Sequence, residues 1–315
     1  MTAADCTAVE QRFLVEWRSG TGRKACSYDD HVRSYLYVPG DAPDKLARAL
    51  SRGADAIIVD LEDAVPPAAK DAARAAVRSW LAEQAPDTGR IWVRLNPGEA
   101  GHVDAHAVVT PALAGVCAAK TASASEIAAL GAVLAEAEEA VGLPVGRIAV
   151  APLLETAGAV FNAADIARAP RVTRLQLGEA DLRAELGVSP GPDERELLLV
   201  RSMAVLASAA AGIAAPVAAA STDFRDLDAL RASSEALRRL GFRGRTCIHP
   251  AQIPIVNKVF TPSAQEVAAA MDVIARFEAA IAAGTGVCLD SEGRMIDEAV
   301  VRAARGTVAL ASAGH

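Results

Sequence analysis

Eight short apolar runs recur at nearly even intervals along this chain of 315 residues: Tyr35–Val38, Ala56–Val59, Ile91–Leu95, Val116–Ala119, Ile148–Leu154, Leu175–Leu177, Pro216–Ala219 and Thr246–Ile248. Stretches rich in Ala, Leu and Arg separate them and carry helical periodicity. Continuous apolar runs mark strands buried on both faces, as in a parallel sheet covered by helices. Eight such strand–helix units predict an α/β fold, the (β/α)8 or TIM barrel. Polar residues cluster just after the runs: Asp60-Leu-Glu62-Asp63, Arg94-Leu-Asn-Pro97, Lys120, Glu155-Thr, Gly178-Glu-Ala-Asp181, Asp223 and His249-Pro250. A barrel of this kind places its active site at the C-terminal strand ends, so an enzyme is expected.

The repeat leaves two segments over. Residues 1–32 do not fit it and read as an N-terminal extension with a short helix. The barrel is expected over residues 33–262, its last unit closed by a helix over Ala251–Lys258. Residues 263–315 then form a C-terminal extension: a helix over Ala264–Ala283, a Gly-flanked hairpin at Cys288–Asp297 suited to a lid, and a final helix from about Glu298. Aromatic residues make up only 4% of the chain, so Ala, Val and Leu must fill most of the core. The net charge of −7 argues against a nucleic-acid surface, which needs clustered excess cations. No apolar stretch is free of charges for the length of a membrane span. The five cysteines (Cys6, Cys26, Cys117, Cys247 and Cys288) show no CxxC spacing, and with no apolar leader visible they predict a reduced, cytoplasmic protein.

Several of the strand-end residues suit catalysis. Glu155 and Asp181 are expected to end the adjacent strands five and six, where two carboxylates can share a hard cation such as Mg2+. Alternatively each caps the helix that follows it. Arg94 lies within an apolar run, and an internal guanidinium needs an anionic partner. That partner is either a substrate carboxylate or enolate, or one of Asp60, Glu62 and Asp63. Those acids in turn either orient Arg94 or hold a metal-bound water. Only five of the 32 basic residues are lysines, and Lys120 alone falls at a strand end. It is placed for a Schiff base or, as favoured here, for pairing with nearby acids. His102 and His106 have the i, i+4 spacing of a zinc helix but lack the intervening Glu and a third ligand, so a surface role is expected. His249 is expected to shape the mouth. Ser-His-Asp, P-loop and dinucleotide signatures are absent.

Taken in order, the motifs resemble a known family. They are Arg33-Ser-Tyr-Leu-Tyr-Val-Pro-Gly40, Gly53-Ala-Asp-Ala-Ile-Ile-Val-Asp-Leu-Glu-Asp-Ala-Val65, Val93-Arg-Leu-Asn-Pro97, Leu154-Glu-Thr156, Gly178-Glu-Ala-Asp-Leu182, Leu240-Gly-Phe-Arg-Gly244, Ile248-His-Pro-Ala-Gln252, Phe260-Thr-Pro-Ser263 and Gly293-Arg-Met-Ile-Asp297. Over about residues 33–310 the chain resembles the citrate lyase β-subunit-like group of the HpcH/HpaI aldolase superfamily, relatives of malyl-CoA and citramalyl-CoA lyases. The resemblance implies a TIM barrel assembled as a trimer or hexamer and dependent on Mg2+. It implies that Glu155 and Asp181 are metal ligands, that Arg94 binds substrate and that Asp297 is a catalytic acid. That acid would sit on a C-terminal lid crossing to a neighbouring subunit. Where many members read Leu-Pro-Lys, this chain has Ala118-Ala119-Lys120.

The chemistry so implied is reversible carbon–carbon cleavage of a β-hydroxyacyl-CoA thioester, such as malyl-, citramalyl- or citryl-CoA, into an acyl-CoA and a 2-oxo acid. Arg94, Glu155 and Asp297 are expected to be catalytic, with Arg94, Glu155, Asp60 and Glu62 contacting the substrate and Asp297 moving a proton at the enolate carbon. The alternatives are a Schiff-base aldolase using Lys120, cleavage of a free hydroxy-acid or acyl-carrier-protein thioester, and a non-catalytic assembly or regulatory subunit.

Overall fold

Each of the eight apolar runs becomes a parallel strand, and the strands close on themselves in sequence order. The computed structural model describes residues 31–86 and 89–312. The expected short helix of the N-terminal extension, and Cys6 and Cys26, lie outside the described residues. The strands are β1 (Ser34–Pro39), β2 (Ala56–Asp60), β3 (Ile91–Leu95), β4 (Leu113–Ala118), β5 (Ala149–Leu154), β6 (Gln176–Leu177), β7 (Val217–Ala218) and β8 (Gly244–Cys247). Between and after them run α1 (Pro43–Ala49), α2 (Lys70–Ala82), α3 (Gly98–Val108), α4 (Ala124–Ala140), α5 (Ala157–Phe161), α6 (Ala163–Arg168), α7 (Glu179–Leu186), α8 (Leu198–Ala211), α9 (Leu227–Leu240) and α10 (Ile253–Phe260).

Alternation along the strands sorts the side chains into two cores. Ile57, Val59 and Val93 face outward into the large core under the helices. Ile58, Trp92, Cys117, Ala151 and Leu153 face inward with Tyr35 and fill the barrel. The few aromatics are concentrated there: Tyr35 and Trp92 meet edge to face, ring centroids 6.2 Å apart. Below them the buried guanidinium of Arg174 lies 5.9 Å from the Tyr35 ring and donates to the Val32 carbonyl and the Tyr35 hydroxyl.

Some boundaries differ from the expected ones. The eighth run was expected at Thr246–Ile248, but β8 begins at Gly244, where the chain passes closest to β1. A Cβ on Gly244 would stand 2.7 Å from the Val32 carbonyl oxygen, so glycine permits the contact and Arg245 N–H then bonds to the Arg33 carbonyl at 2.8 Å. β6 and β7 shrink to two residues each.

Beyond α10, the chain adds α11 (Ala264–Ala282), a hairpin of β9 (Cys288–Leu289) and β10 (Met295–Ile296), and α12 (Glu298–Ser312). Ser263 and Glu266 form a reciprocal capping box at the start of α11. Ala270, Ile274 and Phe277 of α11 pack on Ile296, Val301 and Ala304, giving this extension a small core of its own. Cys117, Cys247 and Cys288 are outside any disulfide. No helix among the described residues is long and apolar enough to cross a membrane.

Gly115 on β4 makes room for the barrel's largest side chain. A Cβ there would lie 2.4 Å from Trp92 Cζ3 and 2.8 Å from the Ala149 carbonyl oxygen. Gly115→Ala is therefore expected to overpack the interior and lower the unfolding free energy by about 1–3 kcal/mol in urea denaturation.

Candidate active site

Asp60 is the last residue of β2, and the parallel register sets it directly beside Arg94 of β3. Its carboxylate takes a two-point bond from the guanidinium, Arg94 Nε to Oδ1 at 2.7 Å and Nη2 to Oδ2 at 2.6 Å. The same oxygens accept the backbone N–H groups of Glu62 (2.9 Å) and Ala64 (3.2 Å). Those bonds stop the strand and turn the chain. Glu62 and Asp63 therefore lie on a turn. With its acceptor sites occupied, Asp60 holds Arg94 in place instead of offering free oxygens to a ligand. The guanidinium lies 5.0 Å from the centre of the Tyr37 ring and 3.0 Å from a Glu62 oxygen. Burial opposes the Arg94 charge, but the bonds to Asp60 outweigh it and raise its pKa. Burial likewise pushes the Tyr37 hydroxyl well above its usual range.

Lys120 follows β4 in a left-handed conformation, φ 50°. That backbone lets one residue serve two neighbours. Its ammonium pairs with Glu62 and, at 3.4 Å, with Asp63, while its N–H donates to Glu155 Oε2 at 3.1 Å. The bond it donates to Glu62 holds the amine charged, above its ordinary pKa. The pairing expected from the sequence is what the structure shows, and a protonated amine is a poor Schiff-base nucleophile. The turn carrying Glu62 is braced from outside, where Lys70 Nζ donates to the carbonyls of Leu61 (2.8 Å) and Glu62 (2.6 Å).

Glu155 immediately follows β5 and is 2% exposed. It caps no helix: Thr156 does so, its hydroxyl accepting from Ala159 N at 3.1 Å. Burial first, then the charges of Glu62 and Asp181, push the Glu155 carboxyl up to about 7. Asp181 does not end strand six as expected. β6 stops at Leu177, and Asp181 sits in the first turn of α7, again without a side-chain capping bond. The two acids are near enough to repel, and among the described residues the Glu155 carboxylate has one hydrogen-bond partner, the Lys120 N–H. Their hard oxygen donors fit Mg2+, which takes one or two carboxylates and fills its octahedron with water and substrate oxygens. Among the described residues no group of three or more His, Cys, Asp and Glu side chains forms a metal cluster.

The structure thus gathers Asp60, Glu62, Arg94 and Glu155 with Asp181 at one mouth. It places Asp297 differently: it follows β10, and its carboxylate caps α12, accepting from the N–H groups of Ala299 (2.9 Å) and Val300 (3.0 Å). His249 follows β8, stacks on Phe224 with centroids 4.9 Å apart and accepts from Ala251 N through Nδ1. His102 and His106 lie on α3, apart from the mouth acids. Arg33 is held by Asp55, and Arg74 by Asp71 and Asp104.

Two contributors escape a reading of the sequence. Tyr37 is one; its signal is the two-residue spacing from inward-facing Tyr35. The other is Gly178, the residue after β6. A Cβ there would lie 2.3 Å from Glu155 Cγ and 2.9 Å from Oε1, so only glycine leaves space for the acid.

Residues 33–250 match the family model for HpcH/HpaI aldolase/citrate lyase. Citrate lyase subunit beta of Leuconostoc mesenteroides subsp. cremoris is 34% identical over 286 residues, covering 90% of this chain and 94% of that protein. A (3S)-malyl-CoA thioesterase of Cereibacter sphaeroides is 36% identical over 285 residues, covering 89% and 95%. The crystal structure of CitE from Mycobacterium tuberculosis in complex with magnesium, acetoacetate and coenzyme A superposes with a TM-score of 0.73 at 30% identity, covering 90% of this chain and 99% of that one.

Gly178→Ala tests the tight seat of Glu155. The backbone at this position is open to alanine, φ −101°, so the cost falls on the Glu155 side chain. Isothermal titration is expected to show Mg2+ affinity falling by roughly 10–100-fold, as for loss of a group that orients a metal ligand, with the displaced carboxyl lowering the unfolding free energy by about 1–3 kcal/mol.

Proposed function

The chain belongs to the HpcH/HpaI aldolase/citrate lyase family, and from that membership we propose that it is a Mg2+-dependent carbon–carbon lyase. Its substrate would be a β-hydroxyacyl-CoA thioester of the malyl, citramalyl or citryl type, split reversibly into an acyl-CoA and a 2-oxo acid. The observation that carries this reading is the mouth itself: an uncapped, buried Glu155 with Asp181 nearby, facing a rigidly held Arg94. The magnesium and coenzyme A bound by the Mycobacterium tuberculosis protein support it.

In the cleavage direction the substrate's hydroxyl gives its proton to water at the mouth and becomes the carbonyl of the 2-oxo acid. The electron pair of the broken bond passes to the acyl thioester as an enolate. Mg2+ held by Glu155 and Asp181 would polarise the forming carbonyl as a Lewis acid. Arg94 has five N–H donors, gives two to Asp60 and turns Nη1 toward Glu62 at 3.0 Å, so it retains donors for an oxyanion. Because the guanidinium is already fixed, it meets the enolate oxygen without reorganising, which is the condition for strong electrostatic catalysis. Asp60 is a positioning residue in this scheme, and Glu62 orders Lys120 and Arg94 at the edge of the substrate.

Asp297 is assigned the proton transfer at the enolate carbon. Its place on a C-terminal hairpin–helix unit suits a lid that excludes water while the enolate exists. The assignment includes delivery to the mouth of a neighbouring copy in a cytoplasmic trimer or hexamer.

Malyl-, citramalyl- and citryl-CoA, each with Mg2+ or EDTA, provide the direct assay. Release of 2-oxo acid abolished by EDTA is expected. Free thiol without 2-oxo acid would instead indicate hydrolysis, the activity in the Cereibacter sphaeroides relative's name, and would overturn the lyase assignment. Acyl-carrier-protein thioesters and free hydroxy-acids run in the same assay identify the carrier. Asp297→Asn should lower kcat by roughly 10²–10⁴-fold, the usual contribution of a general acid, with Mg2+ affinity unchanged. Full activity in that variant would remove Asp297 from the mechanism.

A further inference from the structure

At the end of the barrel opposite the mouth, the C-terminal turns of α9 and α10, the start of α11 and the last turns of α12 line a half-open cavity of about 500 Å3. That is within the size range of small-molecule pockets. Its lining is strongly basic: Arg231, Arg238, Arg239, Arg243 and Lys258 against the two carboxylates of Glu235 and Glu266. Such a concentration stands out on a chain whose net charge is −7.

The pairing within the cavity is uneven. Glu266 is already engaged, taking Arg238 Nη2 at 2.7 Å and the Ser263 N–H at 2.7 Å. Arg243 is half-buried and donates only to two backbone carbonyls, those of Arg238 (3.3 Å) and Phe242 (3.0 Å). Burial and the neighbouring Arg238 charge lower its pKa, the sign of a guanidinium with no carboxylate beside it. Arg231, Arg239 and Lys258 have no ion-pair partner among the described residues, which leaves Glu235 as the one uncommitted acid facing four cations.

We propose that this cavity binds a diphosphate-bearing small molecule. A single carboxylate would neutralise only one of the four cations, whereas a diphosphate offers several oxygens carrying more than one charge. Guanidinium forks match phosphate oxygens two at a time, and three of the four unpaired cations are arginines. Phe260, Pro262 and Leu310 supply an apolar wall against which a ring or alkyl portion of the ligand can rest. The site is independent of the lyase chemistry and shares no residue with the mouth.

The test is calorimetric titration of the full chain with inorganic pyrophosphate in EDTA, at low and at raised salt. Saturable binding that weakens with salt is expected, since exposed charges are screened. The double variant R239Q/K258Q, both at exposed positions with no hydrogen bond to lose, should reduce affinity at least tenfold with an unchanged melting temperature. D181N, in the mouth, should leave pyrophosphate affinity unaltered. Displacement of pyrophosphate by ADP, by CoA or by neither then identifies which source of the diphosphate group the cavity accepts. No saturable binding at millimolar pyrophosphate, equal affinity in R239Q/K258Q, or loss of binding in D181N would each overturn the proposal.

Discussion

The pairing of Asp60 with Arg94 is the constraint on which the rest of the mouth depends. One carboxylate performs three tasks: it ends β2, folds the following turn through the N–H groups of Glu62 and Ala64, and fixes the guanidinium at two points. Stability alone does not explain such a device. A buried ion pair recovers little more than its desolvation cost, and apolar residues of similar size often serve folding as well or better. What the pair secures is shape. Arg94 is held over Tyr37 with donors still available, and Glu62 is presented to Lys120.

Lys120 carries the constraint across the barrel. Its left-handed backbone sends the N–H toward Glu155 while its side chain turns back to Glu62 and Asp63. The two cations of the mouth are thereby committed to Asp60, Glu62 and Asp63, and Glu155 and Asp181 are left without a cationic partner of their own among the described residues. The buried Glu155 feels this most, which is why its carboxyl titrates so far above an ordinary glutamate.

The barrel was legible from the eight apolar runs because strands buried on both faces are continuous in sequence. Their ends were harder. β8 starts earlier than its apolar run because Gly244 admits the β1 backbone, a tertiary contact with no local signature. Which acid pairs with Arg94 depends on strand register, and Asp60, Glu62 and Asp63 were indistinguishable until Asp60 was found directly opposite. Asp181 was legible as an acid near a strand end, but not as part of a helical turn, since β6 stops at Leu177. The need for Gly178 was hidden for a similar reason: it arises from a side chain on the adjacent strand. Asp297 had only the family motif behind it, and its cap on α12 is a local contact that the motif does not predict.

Charge is distributed unequally between the two ends of the barrel. The mouth combines five carboxylates, Asp60, Glu62, Asp63, Glu155 and Asp181, with the side-chain cations of Arg94 and Lys120, while the opposite rim gathers cations. A substrate bearing a carboxylate and the phosphates of coenzyme A would meet net repulsion at such a mouth, because like charges in a site of low dielectric oppose one another strongly. The divalent cation proposed at Glu155 and Asp181 would reverse that balance locally. On the proposed chemistry, the metal requirement therefore begins with substrate admission as well as with polarisation of the reacting carbonyl. Replacing Asp181 with a neutral residue would weaken metal binding yet also reduce the acidity of the mouth, so its two effects on substrate affinity oppose each other. Glu155, buried beneath Gly178 and tied to Lys120, has no such compensation.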